Sequence, residues 1–301
     1  MSVRTGTYSI VARDPATGEL GVAVQSHWFS VGSIVTWARA GIGAVATQSI
    51  AEPAYGPRLL DRLESGEGPS AALAAELESD QSARFRQVAV VDAAGVVAVH
   101  TGDGCMGHAG DATGQGFSAQ ANMMVSAAVW PAMAAAFESA EGSLARRLLA
   151  ALDAAETAGG DVRGWQSAAL LVVPAAGECG RARVELGVEV APVPLLELRR
   201  LLDLHDGYAI ADRADALAGE GSHEQSAELY REAAEAAPES VELGFWAGLG
   251  IAAAGDVDGG AERVRAAIAT GEGWRELLAR LGPEIAPAAE EVRRALGVDA
   301  G

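Results

Sequence analysis

A chain of 301 residues, half of them hydrophobic, is long enough for a sizeable core and for two domains. Its formal charge of −19 and pI near 4.6 predict a surface that repels nucleic acid and anionic membranes, so neither is expected as a partner. All 22 basic residues are Arg, and the absence of Lys excludes a Schiff-base lysine, an ordinary pyridoxal phosphate enzyme and a Walker-type phosphate loop.

The first predicted elements are two strands within "TGTYSIVARDPATGELGVAVQS", residues 5–26, around the turn chemistry of Asp14-Pro15 and Gly18. Strand-like runs follow at 41–49, at 86–102 as a second hairpin turning at Ala94-Gly95, and at 166–174. These runs are rich in Val and Ala and mostly fail to alternate, which indicates cover on both faces. Hairpins imply antiparallel pairing, so two stacked sheets with helices outside each are expected. Helical segments are predicted at "GPRLLDRLESG", "PSAALAAELES", "VSAAVWPAMAAAFESA" and "SLARRLLAALDAAETAGG", the last closed by a glycine pair. The expected fold class is α+β: a four-layer α/β/β/α sandwich over 1–200, followed by a small all-α domain over 201–301.

The second domain repeats itself. At an offset of 34, Ala218, Gly221, Ala227, Glu228, Arg231 and Ala233 recur as Ala252, Gly255, Ala261, Glu262, Arg265 and Ala267, a period of tetratricopeptide length. Tyr230, Ala233 and Pro238 also sit at spacings that this repeat favours. Such hairpins need neighbours to bury their apolar faces, so packing on the first domain or on another subunit, as in a homodimer, is expected. The functional alternative is a groove for a peptide or a peptidoglycan fragment.

Cys105 and Cys179 are too few and too far apart for a disulfide framework, no signal peptide is evident, and no window reaches transmembrane length. A cytoplasmic protein is expected. The segment "HTGDGCMGHAGD" holds His100, Asp103, Cys105, His108 and Asp111, but the spacing fits no standard zinc motif and its glycines suggest a simple connection. No metal and no cofactor are expected.

The ordered series "TYSIVARDPATGELGVAVQS", "WARAGIGAVATQS", "YGPRLLDRL", "HTGDGCMGHAG", "GFSAQANMM" and "GGDVRGWQSAALLV" resembles the DUF1028 family, placed in the N-terminal nucleophile (Ntn) hydrolase superfamily. That resemblance implies the same four-layer sandwich, and enzymes that attack an amide with the side chain of their first mature residue. The α-amine of that residue serves as base, and at about 7.7 to 8.0 its pKa suits the task. Carried onto this chain, the pattern puts the nucleophile at Thr7, which requires cleavage between Gly6 and Thr7. Asn122 is the candidate oxyanion donor, in an exposed position between a strand and a helix beginning near Ser126; Ala121 stands before it where relatives commonly have Gly. Asp161 and Arg163 are expected to orient the nucleophile or hold a substrate carboxylate. Ser26, His27 and Gln48 are expected to line the substrate cleft, His27 standing where relatives often have Lys. The implied activity is hydrolysis of a C–N bond in a small acyl-amine, ureide or peptide. The alternative function is non-catalytic binding of a peptide or peptidoglycan fragment by the helical repeats.

Overall fold

The computed structural model describes residues 6–175 and 182–299. Cys179 lies outside the described residues. The chain separates into two compact units, Met1–Arg199 and Arg200–Gly301.

In the first unit β1 (Thr7–Arg13) and β2 (Leu20–Ser26) form the N-terminal hairpin, followed by α1 (Gly32–Val35), β3 (Thr36–Arg39) and β4 (Gly43–Ser49). Then come α2 (Tyr55–Glu64), α3 (Pro69–Ser79), β5 (Arg86–Asp92), β6 (Val97–Thr101), β7 (His108–Gly114) and β8 (Phe117–Met124). The unit continues through α4 (Val129–Ser139), α5 (Leu144–Thr157), β9 (Ser167–Val173) and β10 (Val184–Val188).

The expected turns form for the expected reasons. Asp14 Oδ1 accepts the Ala16 N–H at 2.7 Å, and Gly18 takes the left-handed conformation at φ +75° that a side chain disfavours. In the second hairpin Asp92 Oδ1 accepts from Ala94 and Val96 around Gly95. The strands pair into a six-stranded antiparallel sheet ordered β10-β9-β2-β1-β8-β7 and a four-stranded one ordered β3-β4-β5-β6. On the larger sheet α5 packs against β1, β2 and β9, and α4 against β7 and β8. On the smaller, α2 packs against β3, β4 and β5, and α3 against β5 and β6. The two sheets meet where β1 and β8 lie against β5, and where β1 and β2 lie against β4. This contact leaves β1, β2 and β4 buried on both faces, which is why they do not alternate in sequence.

Three differences from the sequence reading bear on the site. The glycine-rich segment is no mere connection, because its second half is β7, joined to β8 with a bulge between His108 and Gly110. Asn122 lies inside β8 and is fully buried, where an exposed position between strand and helix was expected. The following helix starts at Val129 instead of near Ser126.

Beyond β10, the division between the units falls within α6 (Pro194–Gly219), and the second unit continues with α7 (His223–Ala236), α8 (Val241–Ala253), α9 (Val257–Thr270), α10 (Glu272–Arg280) and α11 (Ala289–Leu296). The repeat of 34 residues is matched by its helices, since α7 and α9 begin and end at that offset and each follows a left-handed glycine, Gly221 or Gly255. Close packing fixes small residues here: a Cβ at Gly250 would meet the Tyr230 ring at 2.3 Å, and one at Gly260 would meet the Gly248 carbonyl at 2.4 Å. No helix among the described residues is long and apolar enough to cross a membrane.

Candidate active site

Strand register brings the site together. Thr7 lies opposite Ser26 on one side and Asn122 on the other, and Ser26 in turn lies opposite Ser167. Four polar residues therefore form a row across the larger sheet, all of them fully buried. The smaller sheet answers with Gln48 opposite Gln87, also fully buried.

Burial of so many polar groups costs free energy unless each finds a partner, and here nearly all do. Ser9 Oγ donates to Gln48 Oε1 at 2.6 Å and accepts from Gln120 Nε2 at 2.6 Å. Gln48 Nε2 lies 2.8 Å from Gln87 Oε1 and 3.3 Å from the Thr7 carbonyl oxygen. Asn122 Nδ2 reaches the same two acceptors, at 2.9 and 3.4 Å. Gln87 Nε2 closes the network on Thr101 and on the carbonyls of Gly110 and Ala121. The exception is Asn122 Oδ1, buried beside Thr7 with no hydrogen-bond partner among the described residues.

Around the Gly6–Thr7 peptide the contacts are more specific. Thr7 Oγ donates to Ser26 Oγ at 3.1 Å, and Ser26 Oγ donates to the Gly6 carbonyl oxygen. Arg163 Nη2 donates to that same oxygen at 2.8 Å. Arg163 is itself fixed by Asp161, which accepts from its Nε at 3.0 Å, its Nη2 at 2.7 Å and its backbone N–H at 2.9 Å. Such a bidentate pair sets a guanidinium's plane as well as its position. The Asp161 side chain is wholly buried, so the pair is a fixed part of the wall.

Gly6 fits because it has no side chain. A Cβ there would lie 2.6 Å from Asp161 Oδ2, 2.9 Å from Arg163 Nη2 and 2.9 Å from Met123 Cβ. Two strands also end at this edge in the left-handed region without glycine, Ser49 at φ +72° and Met123 at φ +59°. Strain of about 1–3 kcal/mol at each is held by its surroundings, and such residues gather at functional sites.

The structure thus brings together Thr7, Ser26, Gln48, Asn122, Asp161 and Arg163. It does not bring in His27, which strand alternation leaves exposed past the end of β2, without a hydrogen bond among the described residues. The Asn122 amide faces the Thr7 carbonyl and Gln87 instead of the Gly6 carbonyl. Sequence reasoning missed Ser9, Gln87 and Gln120, although polar residues at spacing two, Thr7/Ser9 and Ser118/Gln120/Asn122, carried the signal.

Four of the five residues weighed for a metal are occupied otherwise. Asp103 pairs with Arg84, Asp111 accepts from Thr101, His100 meets the Ala83 carbonyl and Cys105 donates to the Arg86 carbonyl. No group of three such side chains gathers among the described residues. Burial raises the Cys105 thiol pKa.

Protein SPO2555 from Silicibacter pomeroyi, whose crystal structure carries the same family model, is 33% identical, with 65% of this chain and 88% of that one covered at a TM-score of 0.60. The ancestral β-subunit Anbu from Yersinia bercovieri aligns over 67% of this chain and 93% of its own at 9% identity, with a TM-score of 0.34 too low to carry an argument. No curated protein matches the chain. The model of DUF1028, a family of unknown function, matches residues 7–198, beginning at Thr7, and the chain belongs to that family.

Proposed function

We infer that the first unit is a hydrolase of C–N amide bonds whose nucleophile is Thr7, released as a new N-terminus by scission of the Gly6–Thr7 bond. The observation that carries this reading is the Gly6 carbonyl oxygen, which receives both the Arg163 guanidinium and the Ser26 hydroxyl. Two donors on one carbonyl oxygen, one of them charged, stabilise the negative charge that develops when a nucleophile adds to its carbon. The hydroxyl of Thr7, the residue on the other side of that peptide bond, is hydrogen-bonded to Ser26.

In this reading Thr7 Oγ adds to the Gly6 carbonyl carbon. The Gly6–Thr7 C–N bond breaks, the departing nitrogen gains the hydroxyl proton, and an ester joins the Gly6 acyl group to Thr7 Oγ. Water then cleaves the ester, restoring the hydroxyl beside a free α-amine. Departure of Gly6 removes the acceptor shared by Arg163 and Ser26, so the same donors are set to receive a substrate carbonyl. The α-amine takes the hydroxyl proton in turnover and returns it to the leaving amine. Asn122 and Gln48 hold the Thr7 carbonyl, and Asp161 keeps Arg163 aimed. This is the four-layer Ntn sandwich reading of the two sheets and their outer helices, and the substrate is a small amide, acyl-amine or ureide.

The test is a screen over acylated amino acids, ureides and short peptides with wild-type protein and Thr7→Ala in parallel. Turnover by the wild type and none by the variant is expected. Equal turnover by both would remove Thr7 from the chemistry.

A further inference from the structure

The second unit carries a groove of about 530 Å³ between α6, α7, α8 and the segment before α11. Its charged lining is all of one sign: Asp212, Asp215, Glu242 and Glu284, with no Arg among the described lining residues. The unit is acidic throughout, with nine Arg against twenty acids over 200–301, and four of its acids outside the groove meet an Arg. Glu239, Glu272, Glu276 and Glu290 pair with Arg200, Arg275, Arg280 and Arg294. In the groove Asp215 and Glu242 accept, among the described residues, from tyrosine hydroxyls, those of Tyr230 and Tyr208. Among the described residues these like charges are gathered without a counter-charge, an arrangement that repels itself until a cation enters.

Aromatic rings complete it. Tyr208 is 40% exposed at the groove and Trp246 lines its wall, edge-on to Phe245. Ring faces beside carboxylates attract guanidinium and ammonium groups together. A second feature points the same way. A small recess shares Tyr230, Trp246 and Ile285 with the groove, and it is lined by Ser226, a residue 1% exposed whose Oγ has no hydrogen-bond partner among the described residues. A buried hydroxyl in that state costs free energy until a ligand group meets it.

We propose that this groove binds a cationic peptide segment, seating an Arg or Lys side chain between the carboxylates and the rings, with Ser226 taking a polar group of the ligand in the recess. The site is independent of the hydrolase reading and uses none of its residues.

The experiment titrates the full-length protein with an alternating Arg-Gly hexapeptide, followed by calorimetry, with the matching Glu-Gly peptide as comparison. Saturable one-to-one binding of the Arg peptide alone is expected. The double variant Asp212→Asn, Glu284→Gln should weaken it at least about tenfold, the scale of removing charges that face a bound cation. A control that neutralises two exposed acids on α7 outside the groove, Glu228→Gln with Glu232→Gln, should stay within about twofold, because exposed acids are screened. Thr7→Ala should bind as the wild type does. Absence of saturable binding, or equal weakening by the two double variants, would overturn the proposal. The first result would show that no site exists, and the second that only diffuse charge attraction acts.

Discussion

The space between the two sheets has two halves, built from the same strands and opposite in chemistry. On β1 the inward positions run Val11, Ser9, Thr7; on β2, Val22, Val24, Ser26; on β4, Ala44, Ala46, Gln48; on β5, Val91, Ala89, Gln87. β9 follows the same rule, passing from Val173 and Ala169 to Ser167. Each strand changes from hydrocarbon to hydrogen-bonding groups as it approaches the Thr7 edge. The apolar half needs only shape and size, whereas the polar half needs a defined partner for every atom, and that requirement fixes geometry where chemistry would need it fixed.

Perturbing each half separately breaks this comparison in predictable ways. Thr7→Ala removes the nucleophile and should lower hydrolysis by on the order of 10⁶-fold while the fold persists, read by single-turnover kinetics beside circular dichroism. Arg163→Ala leaves the wholly buried Asp161 carboxylate without its cation, so unfolding in urea should show a loss of about 3–5 kcal/mol. Arg163→Lys retains charge but not the fork, and it should slow both scission and turnover by about 10²–10³-fold with a smaller loss of stability.

In the apolar half, Leu20→Ala should cost about 2–5 kcal/mol in the same urea experiment, because the deleted atoms leave a cavity among close-packed valines. Its scission rate should stay near wild type, since no polar partner is lost. A scission defect as large as that of Arg163→Lys would show that the halves are not separable.

The smallest effect lies outside both. The Arg86 guanidinium, hydrogen-bonded at 2.7 Å, holds the Asp80 carboxyl below its ordinary range. A carboxylate depressed on folding stabilises the protein above its unfolded pKa of about 3.9, and that contribution fades as pH falls through the lower folded value. Asp80→Asn should therefore reduce stability at neutral pH and flatten its decline below about pH 4, as measured by urea midpoints across pH.

The two predicted hairpins and four of the five helices α1 to α5 were legible because local chemistry dictates them: Asp14 and Gly18 at one turn, Asp92 and Gly95 at the other, and the glycine pair after α5. Register across non-sequential strands was not. That β8 lies beside β1, putting Asn122 opposite Thr7, depends on the whole sheet order, and so does the burial of Asn122. Gln87 and Gln120 were hidden for a different reason, since one polar residue among Val and Ala reads as a strand end when the facing sheet is unknown. His27 shows the converse, where adjacency to Ser26 suggested a shared cleft and strand alternation sent the two side chains apart.

Thr7 can act through its own amine only once the bond between Gly6 and Thr7 is cut. Intact mass and N-terminal sequencing of the purified protein measure this without any knowledge of the substrate. A chain beginning at Thr7, with Thr7→Ala retaining its leading residues, is the predicted result. A catalytically active chain that still begins at Met1 or Ser2 would contradict it.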